Sequence, residues 1–273
     1  WVPRGGAAPP LPMGVYDIIV FNRSFNDFSN IAFRGNSYET LEAYARKVET
    51  RVDKKTRVET RTIISSPDEL AAATLKGFTV TEDMLGNYSQ TTYGRTAPSR
   101  SSEETPDGLY HLHFVPKKLT REVSAVLHIE GLNNIRSATC RLGGVAESIF
   151  LATGKTSANT VTQEFTPSNP EFSPGSPFNG TLSCEFEIFG LNVIDNNNLH
   201  LDALLVDGKT EFEGDCTNVK ITENDDGTGS VTLILEASTE KVPDVKPEGG
   251  AGSGFDVDVD GWGNEINTDI PIN

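Results

Sequence analysis

Residues 122–132 read EVSAVLHIEGL. Val123, Ala125, Leu127 and Ile129 occupy every second position, with Ser124, Val126 and His128 between them and Glu122 and Glu130 on either side. Extended backbone sends successive side chains to opposite faces, so the pattern gives one wholly apolar and one mostly polar face only as a strand. A helix of about 3.6 residues per turn would spread the same four apolar side chains over two opposed sides. Gly131 then supplies a turn.

The same period recurs along the chain. GVYDIIVFN (14–22) is a β-branched and aromatic run with Pro and Gly before it and Asn at its end. RVETRTII (57–64) places Val58, Thr60, Thr62 and Ile64 on one face. GLYHLHFVP (108–116) sets Tyr110, Leu112 and Phe114 against His111 and His113. TLSCEFEIFGL (181–191) sets Leu182, Cys184, Phe186 and Ile188 against Ser183, Glu185 and Glu187. TNVKITENDDGTGSVTLILEA (217–237) is two alternating runs around an Asp- and Gly-rich loop, a hairpin signal. Many short strands separated by Gly and Pro turns give an all-β fold of the β-sandwich class.

Two stretches carry helical signals. In SPDELAAA (66–73), Ser66 is an N-cap and Pro67 a first-position proline, which predicts one or two helical turns. In SYETLEAYARKVETRV (37–52), Tyr38, Leu41, Tyr44 and Val48 have helical spacing, while the Thr and Val content supports a strand equally.

The chain has 273 residues and a formal net charge of -16. Phosphate binding needs a dominant basic surface, so nucleic acid is not an expected partner. No run reaches the roughly 18 apolar residues of a membrane-spanning helix. The first residue is Trp1, which reads as the start of a processed or trimmed piece. The composition shifts at FVPKKLTREV (114–123): Arg46, Lys47, Arg51, Lys54, Lys55, Arg57 and Arg61 precede it, and acidic residues dominate after it. The expected division is an N-terminal sandwich over residues 1–117 and a C-terminal one over 118–273. PSNPEFSPGSPFNG (167–180) and KVPDVKPEGGAGSG (241–254) read as long sandwich loops.

Chemical motifs are few. Cys140 and Cys184 share faces with apolar neighbours and read as buried, whereas Cys216, in the polar EGDCTN, reads as exposed. Their spacing leaves the disulfide state open. FDVDVDG (255–261) begins like a calcium loop, with Asp256, Asp258 and Asp260 at the first, third and fifth positions and Gly261 at the sixth. The twelfth position is Asn267, which has no carboxylate to chelate with. A closing strand with Phe255, Val257 and Val259 inward explains the alternation, so no metal site is assigned. His111 and His113 lack a third ligand at a sensible spacing. No GxSxG, HExxH, GxGxxG or phosphate loop occurs. Neither enzymatic activity nor a cofactor is expected.

LPMGVYDIIVFN (11–22) resembles the opening strand of the anchor and accessory subunits of the fimbrillin superfamily of Bacteroidetes, through Leu11, Pro12, Gly14 and Tyr16. SPDELAAAT, LYHLHFVPKKLTREVSAVLHIEG and GFDVDVDGW with Trp262 follow in that family's order. The resemblance implies two tandem β-sandwich domains of transthyretin-like Greek-key topology. It also implies export as a lipoprotein, held at the outer membrane and cell surface by an N-terminal Cys outside this chain. Other fimbrial subunits would be the partners, joined by strand addition. The strands expected to carry that assembly are the first, with Val15, Tyr16, Ile18 and Val20, and the last, with Phe255, Val257 and Val259. Stalk members are cut after a basic residue near the start; here Arg4 reads instead as a surface arginine. The alternative expectation is a surface lipoprotein that binds carbohydrate or calcium on its loops, with Phe172 and Phe178 stacking on sugars.

Overall fold

The computed structural model describes residues 11–52, 60–85, 102–104, 110–192, 197–225 and 231–247. The first half of the chain gives β1 (Gly14–Phe21), β2 (Ile31–Arg34), β3 (Glu42–Ala45), β4 (Lys47–Val52), β5 (Thr60–Ile64) and β6 (Ala71–Val80). Short strands follow: β7 (Ser102–Glu104), β8 (Tyr110–Leu112) and β9 (Lys117–Lys118). Next come β10 (Arg121–Glu130), β11 (Ile135–Ala146), β12 (Ser148–Phe150), β13 (Thr160–Phe165) and β14 (Asn169–Phe172). The last are β15 (Asn179–Ile188), β16 (Leu199–Leu205), β17 (Glu211–Asp215), β18 (Thr217–Asp225) and β19 (Val231–Ser238). Among the described residues no helix is long and apolar enough to cross a membrane.

A sandwich forms the larger part of this all-β fold. One layer has the order β14-β15-β10-β19-β18 and the other β17-β16-β11-β13-β5-β4. The stretch at 122–132 is the middle of the first layer: β10 runs antiparallel to β15 and parallel to β19. Val123, Ala125, Leu127 and Ile129 are all buried, as their alternation requires. They face Ala138, Cys140 and Leu142 of β11 and Leu199, Leu201, Ala203 and Leu205 of β16 in one continuous core. Across the gap Phe165 stacks on Phe186 with centroids 4.3 Å apart. Full burial of each such aliphatic side chain stabilises the fold by about 1.5–3 kcal/mol. The expected hairpin at 217–237 is present as antiparallel β18 and β19.

Two smaller sheets, β1-β6-β9 and β12-β3-β2, adjoin this body. Phe21 of β1 lies 5.4 Å from Phe33 of β2, so these sheets pack through aromatic rings. Two strand runs pass between sheets with a single intervening residue. Arg46 separates β3 from β4, and Glu147 separates β11 from β12. The Ala45 amide donates to the Glu147 carbonyl, so the two crossings are bonded to each other. The expected division between residues 117 and 118 falls inside the two-residue strand β9, just ahead of β10. Strands from either side of it share two sheets, through β13 with β5 and β12 with β3.

Two expectations need correction. Residues 66–73 contain no helix: they lead into β6, which begins at Ala71. The segment's polar groups are bonded to distant parts of the chain instead. The Ser66 hydroxyl accepts from the Glu187 amide at 2.9 Å and donates to the Glu187 carbonyl at 3.2 Å. Asp68 accepts from the Asn30 amide at 2.7 Å, and Leu70 is fully buried. These distant contacts outweigh local helix propensity, which is worth at most tenths of a kcal/mol per residue. Residues 37–52 resolve their ambiguity as β3 and β4 after a turn. Cys216 is half-buried and packs against the core, contrary to its polar sequence context, as does half-buried Cys184.

Candidate functional site

The resemblance singled out the first strand, and its geometry is that of a sheet edge. β1 pairs only with β6 among the described residues, leaving its other side without a neighbouring strand. The LPxGxY motif closes on itself there, because the Tyr16 hydroxyl donates to the Pro12 carbonyl at 2.8 Å. The pairing slips between Tyr16 and Ile18, and Asp17 at the slip accepts from the Gly77 amide at 2.8 Å. Gly77 has φ +73°, a conformation open to glycine at little cost. Val15 is 70% exposed, while Tyr16, Ile18 and Val20 are half-buried. At the far end Phe21 is set among Phe25, Phe28 and Phe33, at centroid distances of 4.9, 6.3 and 5.4 Å. The strand is thus pinned at its C-terminal end and open along its flank.

Unpaired backbone along an edge is a template for another strand, and proteins guard such edges with charges, prolines, bulges or short length. β14 carries Pro170, and β17 carries Glu211, Glu213 and Asp215. β18 carries Lys220, Glu223 and Asp225, and β4 carries the exposed Lys47. β1 has eight residues and one charge, Asp17. It is the least guarded long edge among the described residues.

The other residues singled out in the sequence are dispersed. Phe255, Val257 and Val259, with Asp256, Asp258 and Asp260, lie outside the described residues. Phe172 and Phe178 are 48% and 59% exposed and flank the turn that joins β14 to β15. The Ser176 hydroxyl braces that turn by accepting from the Asn179 amide at 3.1 Å. His113 is exposed and lies outside β8. Burial pushes the Cys184 and Cys216 thiols up to about 11, and Cys140 higher still. All three are therefore protonated at neutral pH and poor nucleophiles. Glu185 and Glu187 lie two apart on β15, and Glu187 accepts from Lys118 at 2.7 Å. Glu187 is therefore an ion-pair partner on the sheet surface.

A cleft of about 640 Å³ is lined by Ile149, Phe189, Leu191 and Leu233 with Lys118, Arg121 and Lys155. Lys118 is bonded to Glu187 and Arg121 to Glu223, each at 2.7 Å, so two of its three cations are already neutralised. A cluster unforeseen in the sequence lies on the outer layer. Arg141 of β11 bonds Glu164 of β13 at 3.0 Å and also Asp202 of β16. His200 bonds Asp202 at 3.1 Å and Asp215 of β17 at 2.9 Å. The alternation of LHLDALL places His200 and Asp202 on one face, but only the register of β16 with β17 brings the acids of EFEGD beside them.

Residues 4–166, more than half of the chain, match a family model described as Domain of unknown function (DUF5119). No curated protein sequence matches the chain. Three solved structures are similar to it. A candidate adhesin from Bacteroides ovatus ATCC 8483 is 15% identical at TM-score 0.47, over 78% of this chain and 74% of that one. A candidate adhesin from Bacteroides thetaiotaomicron VPI-5482 is 14% identical at TM-score 0.38, over 75% and 60%. A further candidate adhesin from Bacteroides ovatus is 8% identical at TM-score 0.30, over 75% and 55%.

Proposed function

The chain belongs to the DUF5119 family, and from that premise we propose that it is a non-enzymatic, cell-surface adhesion component that joins other subunits by strand addition along β1. The observation that carries this reading is the eight-residue edge of β1, guarded only by Asp17 and the register slip beside it. Main-chain hydrogen bonds along that edge would supply affinity, and the alternating side chains would set register. The LPxGxY motif and its likeness to fimbrillin anchor and accessory subunits support the same assignment. On this reading the protein is a fimbrial anchor or accessory subunit, exported as a lipoprotein and tethered to the outer membrane by a lipid outside this chain. β1 keeps its place in its own sheet and offers its free flank, with the closing segment around Phe255, Val257 and Val259 as the second assembly strand.

The test is a charge on the free edge. Val15 is mostly exposed, so Val15→Lys should fold and melt as the parent does while guarding the edge. Co-purification with fimbrial subunits should then fall at least tenfold. Undiminished co-purification by a Val15→Lys, Val20→Lys double variant of native melting temperature would refute the proposal.

The exposed pair Phe172 and Phe178 favours a second reading, carbohydrate binding on the β14–β15 turn. Exposed aromatic rings offer apolar faces that can stack on a ligand. A glycan array should then show binding that Phe172→Ala abolishes; an array blank for the parent protein removes this reading.

A further inference from the structure

We infer that the cleft at the end of the sandwich binds a small amphipathic anion, a carboxylate carried on an unbranched apolar chain. Arg121 at the start of β10 pairs with Ile188 at the end of β15. Beyond Ile188 the chain leaves this layer, and Leu191 bridges to Val145 of β11 in the other. The crossing leaves a gap between β18 and the turn after β12, where the cleft of about 640 Å³ lies. Small-molecule sites have volumes of about 300–1,000 Å³. Ile149, Phe189 and Leu233, all buried, form its floor, and half-buried Leu191 and Ile221 flank it. A second cleft, of about 400 Å³, shares Leu119 and Gly154 with the first and adds Phe114, Val115 and Leu151. The two make an elongated apolar trough, which suits a linear chain. β1 takes no part in either lining.

The polar lining decides the head group. Lys118 is matched by Glu187 and Arg121 by Glu223, each at 2.7 Å, so neither needs a further anion. Lys155 is exposed, lines the larger cleft and has no carboxylate at ion-pair distance among the described residues. It directly follows Gly154, which lines both clefts, so it sits at their junction. Glu223 is the only carboxylate in either lining, and Arg121 already holds it. A cationic ligand therefore finds no free acid in the trough, whereas an anion finds Lys155. One free cation matches a single negative charge, which favours a carboxylate over a dianionic phosphate. The net charge of -16 on the whole chain opposes this only weakly. Charges more than about 8 Å away are largely screened at physiological salt.

The probe is decanoate, titrated by calorimetry into the full chain below its micelle-forming concentration. Each further buried methylene tightens binding about fourfold, so decanoate should outbind octanoate by about 15-fold. Decanol, of equal length without the charge, should bind about fivefold more weakly than decanoate, the most that an exposed ion pair supplies. Lys155→Gln should melt as the parent does and lose that preference, and Lys155→Arg should keep it. Amide chemical shifts of residues 154–156 and 189–191 should move on adding decanoate, while those of β1 stay fixed. No binding at millimolar decanoate, an affinity independent of chain length, or a preference over decanol that Lys155→Gln leaves intact would each overturn the assignment. So would shifts confined to residues outside the two clefts.

Discussion

Replacing Phe21 with alanine removes the ring that pins β1 to the rest of the molecule. Phe21 is half-buried at the end of β1 and makes ring contacts with Phe25, Phe28 and Phe33. Truncating a fully buried phenylalanine costs about 3–5 kcal/mol. Half that burial gives about 2 kcal/mol, with the ring-pair preferences of the cluster falling within the same figure. The loss should be local. Among the described residues β1 pairs only with β6, whereas β10 sits between two strands in the middle of the sandwich. In native-state hydrogen exchange, amides of Gly14–Phe21 should lose protection by about 30-fold, the equivalent of 2 kcal/mol. Amides of β10 should exchange through global unfolding, as before. Equal loss of protection in β1 and β10 would show that the first strand is no separable edge. Unchanged protection of β1 would show that the aromatic cluster does not hold it.

Other consequences can be checked by denaturation. Leu127→Ala empties a fully buried position in the central strand β10 and should cost about 2–5 kcal/mol in urea unfolding. Gly131→Ala places a Cβ 2.8 Å from the Val242 carbonyl at φ +89°, so strain and collision together should cost at least about 2 kcal/mol. Gly77→Ala, at φ +73° with nothing within 4 Å, should cost only the strain, about 1 kcal/mol. Equal losses for the two glycines would contradict the packing described. Burial alone would raise the carboxyls of Glu42 and Glu147, but hydrogen bonds from Arg34, Ser148 and Asn159 outweigh it and hold both below the usual range. A depressed carboxyl lends stability that is complete above its unfolded value of about 4.3 and is lost as pH falls through the folded value. Stability should therefore drop as pH falls from about 4, and Arg34→Gln should flatten that drop by lowering the neutral-pH end. An acid limb of unchanged depth in Arg34→Gln would count against the network.

Much of the sandwich was legible because its strands are half-buried on a period of two. Val123 to Ile129, Leu182 to Ile188 and the 217–237 hairpin announce both their form and their inward face. Signals that depend on distant partners were not legible. The crossings at Arg46 and Glu147 each occupy one ordinary polar residue. The parallel junction of β5 with β13 rests on two residue pairs, Thr162 with Ile63 and Gln163 with Ile64. SPDELAAA has sound local reasons to start a helix, and a hydroxyl bonded to Glu187, more than a hundred residues away, decides otherwise. The first strand was legible as a strand, whereas its position at the edge of a sheet follows from topology alone. The His200 cluster shows the same limit, since neither LHLDALL nor EFEGD states its register with the other.

The central claim is that β1 presents its free edge to another subunit. A photo-crosslinking amino acid placed at Val15, with a second variant carrying it at Phe172, tests this in fimbriated cells. The expected result is a covalent adduct between the Val15 variant and a second fimbrial subunit, with none from Phe172. An adduct from Phe172 alone, or none from Val15 in cells that assemble normal fimbriae, would contradict it.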